Sequence, residues 1–237
     1  MKTTVDINDD LFARARRLAE GRGITLRALV EEGLHRALQA HEQPARPPFV
    51  LVTFGEGGLT PEAEAKGLHR VILDTYDQAY TPGAGIAPPI EGLRMIAVDT
   101  NILVYAHRPD LPFHSAAARC LTGLAEGPSV WSIPWSCVHE FLSVVTNPRA
   151  FRIPTPAAQA LAFLGGLRDS GRCVLLAEGE AHWENLSSLV SAGEVRGGQV
   201  HDARIAAVCL SHGVREFWSA DRDFSRYPAL RVRNPLG

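Results

Sequence analysis

The stretch MIAVDTNILVYAHR, residues 95–108, places a short apolar run that is typical of a buried strand directly before Asp99. Beyond it, strand-like segments alternate with segments of helical periodicity, in the order strand, helix, strand, helix, helix, strand, helix, helix, strand. This alternation is typical of an α/β fold with a mostly parallel sheet flanked by helices. In such sheets functional groups gather at the carboxyl ends of the strands, so the position of Asp99 predicts a site there.

Further acidic residues recur at comparable positions. Asp202 lies in the first turn of a predicted helix, and Asp221 follows the strand-like segment EFWSA. Glu140 is the only Asp, Glu, Lys or Arg between residues 131 and 147. Each acid alone could equally be a turn, helix-cap or solvent-facing residue. Together at one sheet edge they would repel one another unless a hard cation such as Mg²⁺ or Mn²⁺ neutralised them, and such a cation can bind phosphate oxygens and activate water.

The segments AVDTNILVYAHR, PWSCVHEFLSVVTNPR and GGQVHDARIAAVCLSHGVREFWSADRDFSRYPALRVRNPL resemble the PIN-domain ribonucleases of the VapC toxin family, over essentially all of residues 95–237. The resemblance implies a Mg²⁺- or Mn²⁺-dependent endoribonuclease whose substrate is structured RNA, tRNA or rRNA. It also implies products with a 3′-hydroxyl and a 5′-phosphate. Carried over position by position, the resemblance implies a catalytic and metal-binding quartet of Asp99, Glu140, Asp202 and Asp221. It also implies that Asp223 is an accessory metal-binding acid. Asn101 and Ser219 match polar residues that support the quartet.

The first 40 residues predict a strand followed by two helices. TTVDI alternates as a short strand does, Asn8 can cap the first helix, and Thr25 can cap the second. One strand has no partner within this segment, and two helices cannot bury their apolar faces alone, so pairing of two copies into a dimer or larger homo-oligomer is predicted.

The segment TTVDINDDLFARARRLAEGRGITLRALVEEGL resembles the ribbon–helix–helix module of VapB-type antitoxins. The resemblance implies that this module binds operator DNA, with its two-stranded ribbon in the major groove. Lys2, Thr4 and Asp6 would then face the bases. A module that only dimerises is the alternative.

Between these two parts lies a segment without a domain of its own. Thr60 and Pro61 predict a helix start, and apolar residues follow at helical spacing, which are Leu68, Val71, Ile72, Tyr76 and Ala79. This helix is predicted to lie in a groove of a partner surface. The predicted organisation is therefore an antitoxin module (1–43), a neutralising tail (44–80), a linker (81–94) and a toxin that starts again at Met95 (95–237), all in one chain.

The acidic pocket of the toxin would attract a cation from the tail when metal is absent. Between Pro47 and Met95 the chain offers Lys66, Arg70 and Arg94, and Arg94 is held too far from the carboxyl end of the first strand. Lys66 and Arg70 are four residues apart and would share a helix face. Arg70 is therefore the favoured inhibitory residue, with Lys66 second. Steric cover of the groove by the helix and the FVLVTF segment is the alternative.

The amino-acid composition is typical of a globular protein rather than of a membrane protein. The net charge of −2, 46% hydrophobic and 21% charged residues are ordinary for globular proteins. The four cysteines form no C-x-x-C pair, and no apolar run reaches about 18 residues, so a cytoplasmic protein without a membrane span is predicted. Two functions remain as alternatives: a DNA-binding autorepressor with a permanently silenced nuclease half, and a DNA-directed PIN-like nuclease. A haloacid-type phosphatase is disfavoured because the segment DTN lacks the second aspartate of that motif.

Overall fold

A computed structural model of the chain describes residues 9–42, 49–74 and 95–237. The chain forms two compact units, residues 1–47 and residues 48–237. The described part of the predicted tail, residues 49–74, thus belongs to the same unit as the predicted toxin. The predicted linker at 81–94 lies outside the described residues, and the boundaries of the four predicted segments remain predictions.

The first unit contains two helices, α1 (Asp9–Gly21) and α2 (Leu26–Glu42). Thr25 caps the start of α2, because its Oγ1 accepts a hydrogen bond from the backbone N–H of Ala28 at 3.2 Å. Both helices agree with the helices expected from the sequence. The predicted strand at residues 3–7 lies outside the described residues, and so do Lys2, Thr4 and Asp6, which are predicted to contact DNA.

Large apolar side chains of α1 and α2 remain exposed within the single chain. Leu18 is 53% exposed and Leu34 is 58% exposed, and Phe12 and Val30 are also on the surface. Ala19 is the one buried side chain among those described in residues 9–42. The two helices therefore leave apolar surface that nothing in their own described unit covers.

The second unit is built on a five-stranded sheet whose described strand pairs are all parallel. Its strands are β1 (Ile96–Val98), β2 (Trp131–Pro134), β3 (Cys173–Leu176), β4 (Glu216–Trp218) and β5 (Val232–Arg233), in the spatial order β3-β2-β1-β4-β5. In the central strand, Ile96 lies opposite Trp131 on one side and Glu216 on the other. Because the strands are parallel, their carboxyl ends share one edge, and the predicted α/β class is confirmed.

Helices flank this sheet: α5 (Thr100–His107), α6 (His114–Glu126), α7 (Trp135–Val145), α8 (Ala157–Asp169), α9 (His182–Ala192) and α10 (Gln199–Ser211), with a short 3-10 helix at Asp223–Arg226. The core between them includes Phe141, Phe163 and Phe217, which are fully buried or nearly so. Two elements were not anticipated from the sequence. Helix α5 begins immediately after β1, and β5 adds a two-residue strand at the edge of the sheet.

The tail forms two short helices rather than one long helix. Helix α3 (Pro61–Lys66) starts as predicted, with the Thr60 side chain accepting a hydrogen bond from Ala63 N–H and proline in the first position. It ends at Gly67, whose φ of +80° favours glycine, and α4 (Leu68–Asp74) begins again directly after it. Tyr76 and Ala79, predicted to continue the apolar stripe, lie outside the described residues.

The extended segment before α3 is attached to the α/β core through its backbone. Phe54 N–H donates to the carbonyl of His107 at 3.0 Å, and Thr60 N–H donates to the carbonyl of Ala150 at 2.9 Å. Leu59 forms an antiparallel bridge with Phe151. In α4, Leu68, Val71 and Ile72 are buried in the same hydrophobic core. The tail thus packs on the α/β core at two places, one extended and one helical.

Candidate active site

Asp99 is fixed at the carboxyl end of β1, in the centre of the sheet. Its side chain caps α5, with Oδ1 accepting a hydrogen bond from Thr100 N–H at 2.7 Å. Its Oδ2 accepts hydrogen bonds from Asn101 Nδ2 and from Ser219 Oγ, each at 2.6 Å. Asp99 is 4% exposed, so its carboxylate is oriented by the protein rather than by solvent.

A network of short hydrogen bonds connects this strand end to the end of β4. Ser219 Oγ accepts from Asp221 N–H at 2.9 Å, and Asn101 Oδ1 accepts from Ala220 N–H at 3.1 Å. Asp221 Oδ1 in turn accepts from Asp223 N–H at 2.9 Å. Because each of these bonds is fixed to backbone, Asn101 and Ser219 hold the acids of the two strand ends in a defined relation.

Glu140 reaches the same place from α7. It is 3% exposed, and its carboxylate accepts a hydrogen bond from the hydroxyl of Thr100. Candidate donor atoms of Asp99, Cys137 and Glu140 lie within 4.8 Å of one another. Thr100 was missed from the sequence, although a polar residue next to Asp99 at the start of an otherwise apolar helix is a signal that could have identified it.

Asp202 enters from the first turn of α10. It is 4% exposed, and among the described residues its Oδ2 has no hydrogen-bond partner. The negative charge of Asp99, Asp221 and Asp223 acts on its carboxyl group, which shows that these acids converge. The structure therefore brings the predicted acids to one edge of the sheet.

The electrostatics of this cluster are those of crowded, buried acids. Burial raises the pKa of Asp99 to about 6, and the charge of Asp221 adds to the rise, while hydrogen bonds from Ser219 and Thr100 oppose it. Burial also raises the pKa of Asp202 to about 7, helped by the neighbouring carboxylates and opposed by the charge of His69. Neutralising such a cluster takes either protons or a cation.

Two described cations lie next to these acids: Arg226 of the 3-10 helix, 3.7 Å from Asp223 Oδ1, and His69, on α4 of the tail. Its Nδ1 contacts Asp221 Oδ2, and its Nε2 lies 3.5 Å from Asp223 Oδ2. Burial alone would lower the pKa of His69, but its hydrogen bond to Asp221 and the surrounding carboxylate charges raise the pKa well above its usual value. Burial of Asp221 is likewise outweighed by His69, so the pKa of Asp221 is lowered.

Arg70 and Lys66, the residues expected to enter the acidic pocket, are placed elsewhere. Arg70 is 66% exposed at its side chain and pairs with Asp74 at 3.3 Å. Lys66 pairs with Glu62 at 3.2 Å and with Asp74 at 3.1 Å. The expectation that Lys66 and Arg70 share one helix face required one continuous helix. Because the helix ends at Gly67, the two residues lie on different helices and have no common face. His69 was missed because the sequence argument treated histidine as neutral and considered only Lys and Arg.

Comparisons with known proteins agree with this geometry. The family model described as PIN domain matches residues 96–230, which is more than half of the chain. The chain belongs to the PIN-domain family. A second family model, described as bacterial antitoxin of type II TA system, VapB, matches residues 1–46. The predicted fusion of a VapB-type antitoxin domain with a VapC-type PIN domain is thus confirmed.

Two relatives of the PIN domain are ribonucleases of Mycobacterium tuberculosis. Ribonuclease VapC43 of Mycobacterium tuberculosis (strain ATCC 25618 / H37Rv) is 37% identical over 142 residues, which cover 60% of this chain and 96% of the relative. Ribonuclease VapC31 of the same strain is 32% identical over 143 residues, covering 60% of this chain and 100% of the relative. Among solved structures, VapBC2 from Rickettsia felis bound to a DNA fragment from their promoter aligns with a TM-score of 0.45 at 19% identity, covering 59% of this chain and 98% of that chain.

Proposed function

We propose that the chain is a metal-dependent endoribonuclease whose active site is the acidic cluster and whose activity is held down by its own antitoxin tail. The observation that carries this proposal is the convergence of buried carboxylates at the carboxyl edge of a parallel sheet. Among the described residues, Asp99 and Asp202 form no ion pair with an arginine or lysine. The mycobacterial relatives are named ribonucleases, which supports the same chemistry here.

The donor set fits a hard divalent cation. The buried Oδ2 of Asp202 lacks a hydrogen-bond partner among the described residues, and so does Oδ2 of Asp221 apart from its ion pair with His69. These oxygens, together with carboxylate oxygens of Asp99 and Glu140, would hold Mg²⁺ or Mn²⁺, with Asp223 beside them. A bound cation supplies positive charge for phosphodiester oxygens and makes a water molecule more acidic.

The remaining polar residues have positioning roles in this proposal. Asn101 and Ser219 hold Asp99 Oδ2, so the carboxylate cannot rotate away from the cluster. The hydroxyl of Thr100 orients Glu140 from the first turn of α5. By analogy with the family, hydrolysis would leave a 3′-hydroxyl and a 5′-phosphate, and the substrate would be structured RNA such as tRNA or rRNA.

The tail supplies the inhibition. Its extended part is fixed by the backbone bonds of Phe54 and Thr60, and this attachment carries α4 to the mouth of the acidic cluster. His69 then places a cation against Asp221 and Asp223, where a substrate phosphate and its metal ion would need to approach. In this proposal the tail covers the acidic cluster sterically and also places the positive charge of His69 against it. His69 therefore has the inhibitory role that was expected for Arg70 and Lys66.

The N-terminal module is proposed to dimerise and bind operator DNA. The exposed Leu18, Leu34, Phe12 and Val30 provide an apolar surface that a second copy of the module would cover. The match to the VapB family over residues 1–46 supports this role, with the ribbon and its Lys2, Thr4 and Asp6 entering the DNA groove. Among the described residues, no helix has the length and apolar character to cross a bilayer. A cytoplasmic location is part of the proposal.

Cleavage by two forms of the protein tests the nuclease proposal. Residues 95–237, checked for folding by circular dichroism, and the full chain are incubated with total tRNA and rRNA in Mg²⁺, in Mn²⁺ and in EDTA, and the RNA ends are sequenced. The fragment should cut RNA only with metal, and the full chain should cut far less. The Asp99→Asn fragment is the matched control and should be inactive while folded.

Three outcomes would contradict the proposal. Cleavage of DNA instead of RNA would identify a DNA-directed nuclease. A folded fragment that is silent with either metal would favour a DNA-binding autorepressor with an inactive nuclease half. Equal cleavage by the full chain and the fragment would remove the inhibitory role of the tail and leave the nuclease assignment intact.

A further inference from the structure

His69 of the tail and two acids of the PIN domain form a mixed nitrogen and oxygen donor set. Candidate donor atoms of His69, Asp221 and Asp223 all lie within 4.8 Å of one another. We propose that these three residues bind a first-row transition-metal ion, with Zn²⁺ as the best fit, which bridges the tail to the PIN domain and locks the inhibited state. The inference rests on the proposed function, because it assigns a regulatory metal to the same acidic cluster.

The chemistry of the donors separates this ion from Mg²⁺. An imidazole nitrogen suits Zn²⁺, Co²⁺ and Ni²⁺, whereas Mg²⁺ prefers oxygen ligands. Asp99 and Glu140 offer carboxylate oxygens beside the buried thiol of Cys137, whose pKa is raised by burial, whereas the group that includes His69 offers an imidazole nitrogen. Asp221 can therefore serve a nitrogen-tolerant ion while the tail is docked and an oxygen-seeking ion when the tail has left.

The exposure of the three side chains also suits a zinc site. Asp221 is 8% exposed at its side chain, whereas those of His69 and Asp223 are 33% and 47% exposed. Three protein ligands with one position open to solvent is a common zinc arrangement. The Nε2 of His69 and the Oδ2 of Asp221 are themselves buried, so a metal ion would enter from the exposed side of Asp223 and separate the direct contact between His69 and Asp221.

The excess of negative charge around His69 is a second observation that supports a bound metal ion. Asp202 is 4% exposed, and its Oδ2 has no hydrogen-bond partner within the described ranges. The charges of Asp202 and Asp99 both act on His69, so the imidazole faces more negative charge than its own contacts with Asp221 and Asp223 supply. Against these carboxylates stand Arg226, 3.7 Å from Asp223, and one imidazolium with a single positive charge. A divalent ion held by the imidazole would compensate more of the negative charge.

The alternative is that His69 only takes the place of a metal ion. The two cases predict opposite effects of removing the imidazole. A ligand strengthens metal binding, so its loss weakens affinity. A residue that merely occupies the pocket competes with metal, so its loss strengthens affinity. The sign of the change in Zn²⁺ affinity therefore decides between the two roles.

Metal titration of the full chain provides the test. Zn²⁺ and Mg²⁺ affinities are measured separately by isothermal titration calorimetry for the wild type, His69→Ala, His69→Gln and the control His182→Ala. His182 is also a partly buried histidine near a carboxylate, 3.8 Å from Glu178, but it is not one of the three proposed ligands. Thermal unfolding without metal confirms that each variant is folded.

The proposal predicts that both His69 variants lose about tenfold or more of the Zn²⁺ affinity, while their Mg²⁺ affinity stays equal or rises. His182→Ala should bind both ions as the wild type does. The visible spectrum of bound Co²⁺ should change with His69→Ala and not with His182→Ala. Zn²⁺ affinity that is unchanged or higher in His69→Ala would overturn the proposal, and this result does not depend on whether the PIN domain cleaves RNA.

Discussion

Two buried carboxylate sites in the second unit differ in how their charge is compensated. The first is Asp110, which binds Arg108 through two hydrogen bonds of 2.9 and 2.6 Å and also accepts Gly58 N–H of the tail at 2.8 Å. Arg108 is 0% exposed, donates to the carbonyl of Ile153 at 2.9 Å and lies 4.0 Å from the ring centroid of Phe151. The negative charge of Asp110 is therefore compensated by an arginine of the same folded unit.

The acidic cluster at the sheet edge is the opposite case. Burial raises the pKa of Asp99 and Asp202, and among the described residues neither pairs with an arginine or lysine. The tail brings only the imidazole of His69 to this cluster. The comparison teaches that a carboxylate with a matched arginine is neutralised within the fold, whereas the crowded carboxylates of Asp99 and Asp202 keep raised pKa values, which is typical of functional sites.

The largest effect is expected from breaking the compensated pair. Arg108→Met should reduce the free energy of unfolding by about 3–5 kcal/mol, because Asp110 would remain buried without its partner. Urea unfolding of the full chain measures this. Arg168→Met is the control, since Arg168 and Asp169 are 66% and 70% exposed at their side chains, and it should change stability by less than about 0.5 kcal/mol. Similar losses for both variants would refute the contrast between the two sites.

An effect of opposite sign is expected in the acidic cluster. The pKa of Asp202 is raised by burial, so its ionised form costs stability above its unfolded pKa, and Asp202→Asn should raise the free energy of unfolding at about pH 8 without metal by on the order of 2 kcal/mol. Stabilisation by added Mg²⁺ should shrink in the same variant. Thermal and urea unfolding with and without Mg²⁺ measure both, with Asp169→Asn as the exposed control. A loss of stability in metal-free buffer would show that the cluster is already balanced within the chain.

The smallest effect concerns His107, beside the compensated pair. Burial lowers its pKa to about 4, with the charge of Arg108 adding to the fall and the hydrogen bond to the Val52 carbonyl opposing it. The unfolded chain therefore takes up a proton near pH 6.5 that the folded chain refuses, so stability is lost as the pH falls from about 6.5 towards 4. From about pH 7.5 to 5.5 this contribution amounts to about 1 kcal/mol.

Urea unfolding of the wild type and of His107→Gln at both pH values isolates this contribution, because the other titrating groups are common to the two proteins. The difference in stability between the two proteins should depend on pH, with the wild type losing more on acidification. Parallel pH dependences would mean that His107 is protonated in the folded protein as well.

Local pattern was sufficient for the first four strands and for the acids that follow two of them, but not for β5. The apolar run before Asp99 and the segment before Asp221 predicted strand ends, and the parallel sheet brings both to one edge, because alternating strands and helices permit few other arrangements. The hydrogen bond from Thr100 to Glu140 could not be predicted in this way. It joins residues of two different helices, and no spacing along the chain encodes that distance.

The tail shows where local reasoning failed. Thr60 and Pro61 predicted the start of α3, because capping acts within one turn of helix. Arg70 and Lys66 do not share a helix face directed at the acids, because Gly67, with its φ of +80°, ends the helix between them. The new helix turns His69 towards the acids and leaves Arg70 at the surface.

By itself, the sequence determined the α/β class, the fusion of an antitoxin module with a PIN domain, and which strand ends carry acids. The α/β class and the strand ends depend on periodicity and capping, which act over a few residues, whereas the fusion follows from the resemblance of the two parts to VapB-type antitoxins and PIN-domain ribonucleases. Only the tertiary structure decided which cation of the tail faces the acids, which acid pairs with Arg108, and which carboxylate oxygens lack a hydrogen-bond partner among the described residues. Those outcomes depend on burial and on distances between residues far apart in the chain, and a difference of a few ångströms there decides whether a charge is compensated or left open.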